Sequence, residues 1–173
     1  VERLVHGSSE VRGGHSRAVA KRIIGRTRAK ASGTQEGLAM KIDEIEGIGP
    51  GQAAKLAEAG VATTDQLLQW GANKAGRTSL EGTTGISGKL ILEWVNHVDL
   101  MRIKGVGSEY SDLLEAAGVD SPSELAQRNA ANLAQTFQEV VAARPGIVRR
   151  IPTEGEVADW IAQSKDLPKV VEH

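Results

Sequence analysis

Glycine, rather than any nucleophile or titratable group, is the residue whose spacing here has chemical content. Gly47, Gly49 and Gly51 alternate in Ile45-Glu46-Gly47-Ile48-Gly49-Pro50-Gly51-Gln52, and Gly105 and Gly107 do so in Ile103-Lys104-Gly105-Val106-Gly107-Ser108. Lacking a Cβ, glycine lets the chain bend sharply and brings backbone N–H groups to the surface. Where such a bend runs into a helix, the free amides of the first turn and the positive end of the helix dipole can hold an anion such as a phosphate oxygen. The candidate binding groups are the backbone donors of Gly47, Gly49, Gly51 and Gln52 with Lys55 one turn on, and those of Gly105, Gly107 and Ser108 with Lys104 just before them. Glu109 stands at the mouth of the second bend, where a carboxylate repels phosphate. The same glycines have a purely structural use, in which they make the turn and Ile48 and Val106 plug into the core. The residues alone leave both uses open.

Other chemistries find little support. There is no cysteine, hence no disulfide, thiolate site or thiol nucleophile. His6, His15, His97 and His173 are scattered, and no His/Asp/Glu set has metal-ligand spacing, so neither metal nor cofactor is expected. Asp43, Glu44 and Glu46 read as a charged helix edge. The alternating glycines are no dinucleotide fingerprint, since no strand precedes them. Gly88-Lys89 hints at a phosphate loop, but that motif needs glycine at 83 and Ser or Thr at 90, where the chain has Thr83 and Leu90. The expectation is a protein that is not an enzyme and has no small-molecule substrate.

An internal repeat organises the elements that must place these bends. Ile45–Val61 aligns with Ile103–Val119 at an offset of 58 without a gap, and the match reaches Leu67 and Leu125. Ile91-x-x-Trp94-Val95 recurs as Val157-x-x-Trp160-Ile161 at an offset of 66, so the second unit has gained about eight residues in its middle. Helix-start patterns of hydroxyl residue followed three later by Glu or Gln occur at Thr63–Gln66, Thr78–Glu81, Ser121–Glu124 and Thr153–Glu156. Pro122 suits a first helical position, and Gly60 and Gly118 suit helix ends. Leu90, Ile91, Trp94, Val95 and Val98 form one helical face, on which both repeated tryptophans read as core. Nothing alternates as a strand for long. The fold class is therefore all-α, with units at 40–100 and 101–167 and a tail at 168–173.

Residues 1–39 differ in kind. They hold eight Lys/Arg against three Asp/Glu, and the rest of the chain thirteen against nineteen, net charges of +5 and −6. Their apolar residues show no sustained period, which reads as a disordered basic segment, Arg-rich like an organelle presequence. A second reading comes from Gln35-Glu36-Gly37, whose codons can spell a ribosome-binding sequence a few nucleotides before Met40. On that reading translation starts at Met40. No apolar run is long enough to span a bilayer, so no membrane is expected and the location expected is cytoplasmic.

The pattern apolar-x-Gly-apolar-Gly, followed by a helix with Ala53 and Leu56 on its inner face, resembles the helix-hairpin-helix motif. Residues 42–100 resemble the N-terminal helix-hairpin-helix domain of archaeal and eukaryotic RecA-type recombinases, with Leu80-Glu-Gly-Thr-Thr-Gly-Ile-Ser87 as the second, weaker hairpin. The counterpart of that hairpin in the second unit, around Val148–Pro152, has lost the glycines. Residues 40–173 as a whole resemble an uncharacterised bacterial family, a domain of unknown function with paired hairpin units. The resemblance implies two tandem helix-hairpin-helix repeats packed as a pseudo-symmetric helical domain that grips a nucleic-acid backbone without reading its sequence. Lys74, Arg77 and Lys89 flank the weaker hairpin, and Arg144, Arg149 and Arg150 cluster in the second unit. The net charge of −6 makes any binding to double-stranded DNA weak and salt-sensitive. The alternative is a protein–protein adaptor that keeps the scaffold and has lost phosphate binding, motivated by Gln52, Glu109 and the degraded last hairpin.

Overall fold

Short capped helices, each with one apolar face, build this chain. The computed structural model describes residues 39–173, so the readings of the first 38 residues lie outside the described part. A 3-10 turn at Ile42–Glu44 precedes α1 (Pro50–Glu58), α2 (Thr64–Gly71), α3 (Lys74–Thr84) and α4 (Gly88–Leu100). Then come α5 (Ser108–Ala116), α6 (Pro122–Leu125), α7 (Ala130–Ala143) and α8 (Glu154–Asp166). Among the described residues there is no strand, only an isolated antiparallel bridge between Lys41 and Thr63.

Polar residues set the helix starts by accepting from free first-turn amides. Thr63, Ser87, Ser121 and Thr153 do so through hydroxyls, and Asn73 and Asn129 through side-chain carbonyls. Three of the four capping patterns mark real starts, but Thr78–Glu81 does not. Asn73 caps that helix instead, and Thr78 sits inside α3 with its hydroxyl donating to the carbonyl of Lys74 at 3.0 Å. Gly60 and Gly118 turn the chain out of α1 and α5 at φ of +85° and +77°.

The internal repeat is visible in the helix bounds: α5 is α1 displaced by 58 positions, and α8 is α4 displaced by 66. Between them, α6 is shorter than α2 and α7 longer than α3, which is where the second unit differs. Each unit has its own apolar core. Ile42, Ile45, Ile48, Leu56, Val61, Leu67, Ile91, Trp94 and Val95 occupy the first, and their positional counterparts Leu100, Ile103, Val106, Leu114, Val119, Leu125, Val157, Trp160 and Ile161 the second. The expected α4 face is buried apart from Leu90, which is half-buried. No described helix is long and apolar enough to cross a membrane.

The units are not merely strung together. Helix α4 of the first packs on α5 of the second. The segment expected to be a tail runs back to the first unit, where Val171 is 1% exposed within that unit's core. Arg77, read in the sequence as flanking the weaker hairpin, is the residue that fastens it. Its guanidinium is buried and donates to the carbonyls of Gly71 (2.8 Å), Ala72 (3.2 Å) and Glu172 (2.7 Å), while the Glu172 amide donates to Ala72 at 2.8 Å. Replacing Arg77 with Met leaves these carbonyls without their donor. The expected loss is about 1–3 kcal/mol of folding stability, measured by urea denaturation, with earlier proteolytic cleavage after residue 167.

Candidate nucleic-acid interface

Each glycine bend is closed by one backbone hydrogen bond and plugged by apolar side chains. In the first, the Ile48 amide donates to Ile45 at 3.1 Å around Gly47, and both isoleucines are buried. In the second, Val106 donates to Ile103 at 3.0 Å around Gly105, again with both buried. Gly47 and Gly105 hold φ of +84° and +92°, the left-handed region that disfavours a Cβ. Beside each glycine lies the indole of the tryptophan that recurs at the same position of the two units. A Cβ added at Gly47 would stand 3.6 Å from Trp94 Nε1, and one at Gly105 only 3.0 Å from Trp160 Nε1. The turn is structural, and Gly47 and Gly105 themselves remain exposed.

The two bends touch. The Glu46 amide in the first donates to the Ser108 hydroxyl, the first residue of α5, at 2.7 Å. This places both bends on one edge of the molecule. Several of the anticipated donors are taken by the protein itself. Gln52, anticipated as a backbone donor, turns its side chain back so that Oε1 accepts the Gly49 amide at 3.1 Å. Gln163 on α8 accepts the Lys104 amide at 2.9 Å and donates to its carbonyl at 3.2 Å. Among the described residues, none accepts from the amides of Gly47, Gly51, Gly105, Gly107 or Ser108. Lys55 and Lys104 are exposed, as is Lys41.

The remaining charges rearrange the electrostatic expectation. Glu109 does not face the bend alone: Arg149 Nε lies 2.9 Å from its Oε1, and the Arg149 amide donates to Oε2 at 3.3 Å. Arg150 makes a two-pronged pair with Glu156 at 2.8 and 2.7 Å, and Glu156 also accepts the Thr153 amide at 2.8 Å to cap α8. Arg150 and then Thr153 hold the Glu156 carboxyl down at about 2. Of the basic residues singled out in the sequence, Arg77 is buried on backbone carbonyls and the exposed Arg149 and Arg150 pair with Glu109 and Glu156, whereas the exposed Lys74, Lys89 and Arg144 have no ion pair among the described residues. Tyr110 donates its hydroxyl to the Arg150 carbonyl at 3.2 Å and packs its ring on Trp160, centroids 5.1 Å apart. The weaker bend of the first unit turns at Gly85, φ +69°. Its counterpart at 148–152 has no glycine; upstream of it Gly146 holds φ of +92° just past the end of α7.

One grouping escaped the sequence altogether. The absence of a His/Asp/Glu set in linear spacing does not hold in three dimensions, because α4 and α5 bring His97, Asp112 and Glu115 together with one ligand atom from each within 4.8 Å of the others. His97 is buried, and its Nε2 bonds the Glu115 carboxylate. The only signal for it in sequence is the spacing of the two acids, three apart on one helix face.

A family described as a domain of unknown function, DUF4332, matches residues 46–167, more than half of the chain. No curated protein and no solved structure matches.

Two outcomes follow from this geometry. Ala at Gly105 should cost more stability than Ala at Gly47, each on the order of 1–3 kcal/mol for the left-handed backbone, because the approach to Trp160 is the tighter one; equal losses in urea melts would contradict the close-approach account. The depressed Glu156 carboxyl contributes stability that is present above its ordinary value of 4.5 and is lost as pH falls toward about 2. Carboxyl chemical shifts across an acid titration check this, and the low midpoint should disappear in Arg150→Ala.

Proposed function

The chain belongs to the DUF4332 family, and we propose that this member is a pseudo-symmetric pair of helix-hairpin-helix units that binds the backbone of double-stranded DNA without reading its sequence. The observation that carries this reading is the Glu46–Ser108 hydrogen bond, which joins the first glycine bend to the start of α5 at the second. The amides of Gly47, Gly51, Gly105, Gly107 and Ser108 have no acceptor among the described residues, and Lys55 and Lys104 are exposed. Donors of this kind hold phosphate oxygens at helix starts, and contacts to phosphate position a protein on a duplex without sequence information. The likeness to the N-terminal domain of RecA-type recombinases supports the same use. The action is binding rather than catalysis, in the cytoplasm, with neither cofactor nor small-molecule substrate. Pairing of Glu109 with Arg149 removes much of the repulsion that a bare carboxylate would exert at the second bend.

A second reading, a protein–protein adaptor on the same scaffold, is favoured by a specific observation. Arg77, Arg149 and Arg150 are bound internally and Gln52 occupies the Gly49 amide, so the surface offers phosphate fewer donors and charges than the sequence suggests.

Fluorescence anisotropy of the full chain with duplexes of unrelated sequence at low salt separates the two. Backbone binding predicts similar affinities for all duplexes, falling steeply with salt. Replacing Lys55 and Lys104 with Ala should weaken every duplex alike and lower the log–log salt slope by about one per lysine. Absence of binding at tens of micromolar would leave the adaptor; an unchanged slope in the double variant would exclude this face.

A further inference from the structure

The junction between the units holds an arrangement that the glycine bends do not use. His97, on the last turns of α4, is 3% exposed, and its Nε2 contacts the Glu115 carboxylate of α5. Its other ring nitrogen, Nδ1, is buried without a partner, so the imidazole is engaged only toward α5. Asp112 and Glu115 are three residues apart on α5, half-buried, and their carboxylates and the imidazole nitrogen lie within 4.8 Å of one another. Among the described residues, Asp112 has no hydrogen bond or ion pair, and no Lys or Arg pairs with either acid. Two carboxylates therefore converge on a single imidazole, which leaves negative charge uncompensated in a partly desolvated place.

The repeat sharpens the point. The positions matching Asp112 and Glu115 on α1 are Ala54 and Ala57, both exposed, and the position matching His97 on α8 is Gln163, which is spent on the Lys104 backbone. The three groups occur only where α4 of one unit meets α5 of the other. They are not an inheritance of the repeat.

We propose that His97, Asp112 and Glu115 bind one divalent transition-metal ion. One imidazole nitrogen and two carboxylate oxygens, with no sulfur, suit zinc, manganese or cobalt rather than a soft monovalent ion. Three protein ligands leave the ion at least one position for water, and the half-buried acids give it a way in from solvent. The ion neutralises the carboxylates and pins α5, the helix that leaves the second glycine bend, onto α4. This assignment is independent of the nucleic-acid reading.

Calorimetric titration of the chelator-treated full chain with Zn²⁺ or Mn²⁺ tests it. The expected result is a single tight site whose occupation raises the melting temperature. Asp112 makes no hydrogen bond or ion pair with any other described residue, so Asp112→Asn should melt unchanged without metal and bind at least about tenfold more weakly, the lower bound even for partners one shell removed from a metal. A second measurement needs no variant: bound Mn²⁺ should broaden the NMR signals of the His97 ring more than those of His173. No binding by the natural chain, equal binding by Asp112→Asn, or broadening confined to the other histidines each overturns the proposal.

Discussion

Everything in each unit is arranged around a backbone that must pass over an indole. Gly47 lies on Trp94 and Gly105 on Trp160, so the bend at the start of a unit rests on the helix at its end. A side chain at either glycine would strain the backbone, and at Gly105 it would also press on the buried Trp160 ring. The remaining helices fill the space that this closure defines. Ile45 and Ile48, or Ile103 and Val106, seal it from the flank, and Leu56 or Leu114 seals it from the helix that follows. The same closure leaves a short run of backbone with no side chain to cover it, which is the physical origin of any affinity for anions at that edge.

Around this shared frame the two units have diverged in how they spend polar groups. The first uses Gln52 on its own bend and Arg77 to fasten the end of the described chain. The second ties Glu109 to Arg149 and Arg150 to Glu156, and uses Gln163 to hold Lys104. Exposed pairs of this kind contribute little stability each. Their larger effect is on the surface field, since each such pair cancels the charge of one exposed cation.

The repeat, the helical class and the two cores were legible because they depend on periodic apolar residues and glycines, which leave their mark on linear sequence. Trp94 and Trp160 stood at matching positions on apolar faces and are buried as that pattern implies. What was not legible depends on residues meeting across the chain. Thr78 fits a capping pattern in sequence, yet it lies inside α3, and Asn73 is the residue that caps the helix. Arg77 reads as a flank of the weaker hairpin because nothing local announces that residues near 171 return to cover it. His97 is separated from Asp112 and Glu115 by an entire glycine bend, so their meeting is a property of the fold and not of any motif. Of the candidate site, the bends and their lysines could be found in sequence, but the self-occupation of the Gly49 and Lys104 amides could not.

Val171 fills the core of the first unit although it is translated only after the whole second unit. Vectorial synthesis normally lets an amino-terminal unit finish first. Here the first unit emerges with a gap in its interior and with the Arg77 guanidinium lacking one of its carbonyl partners. Its final consolidation waits for a segment that has to travel back past its completed sibling. The order of ribosomal synthesis and the order of assembly therefore run in opposite senses for these two units.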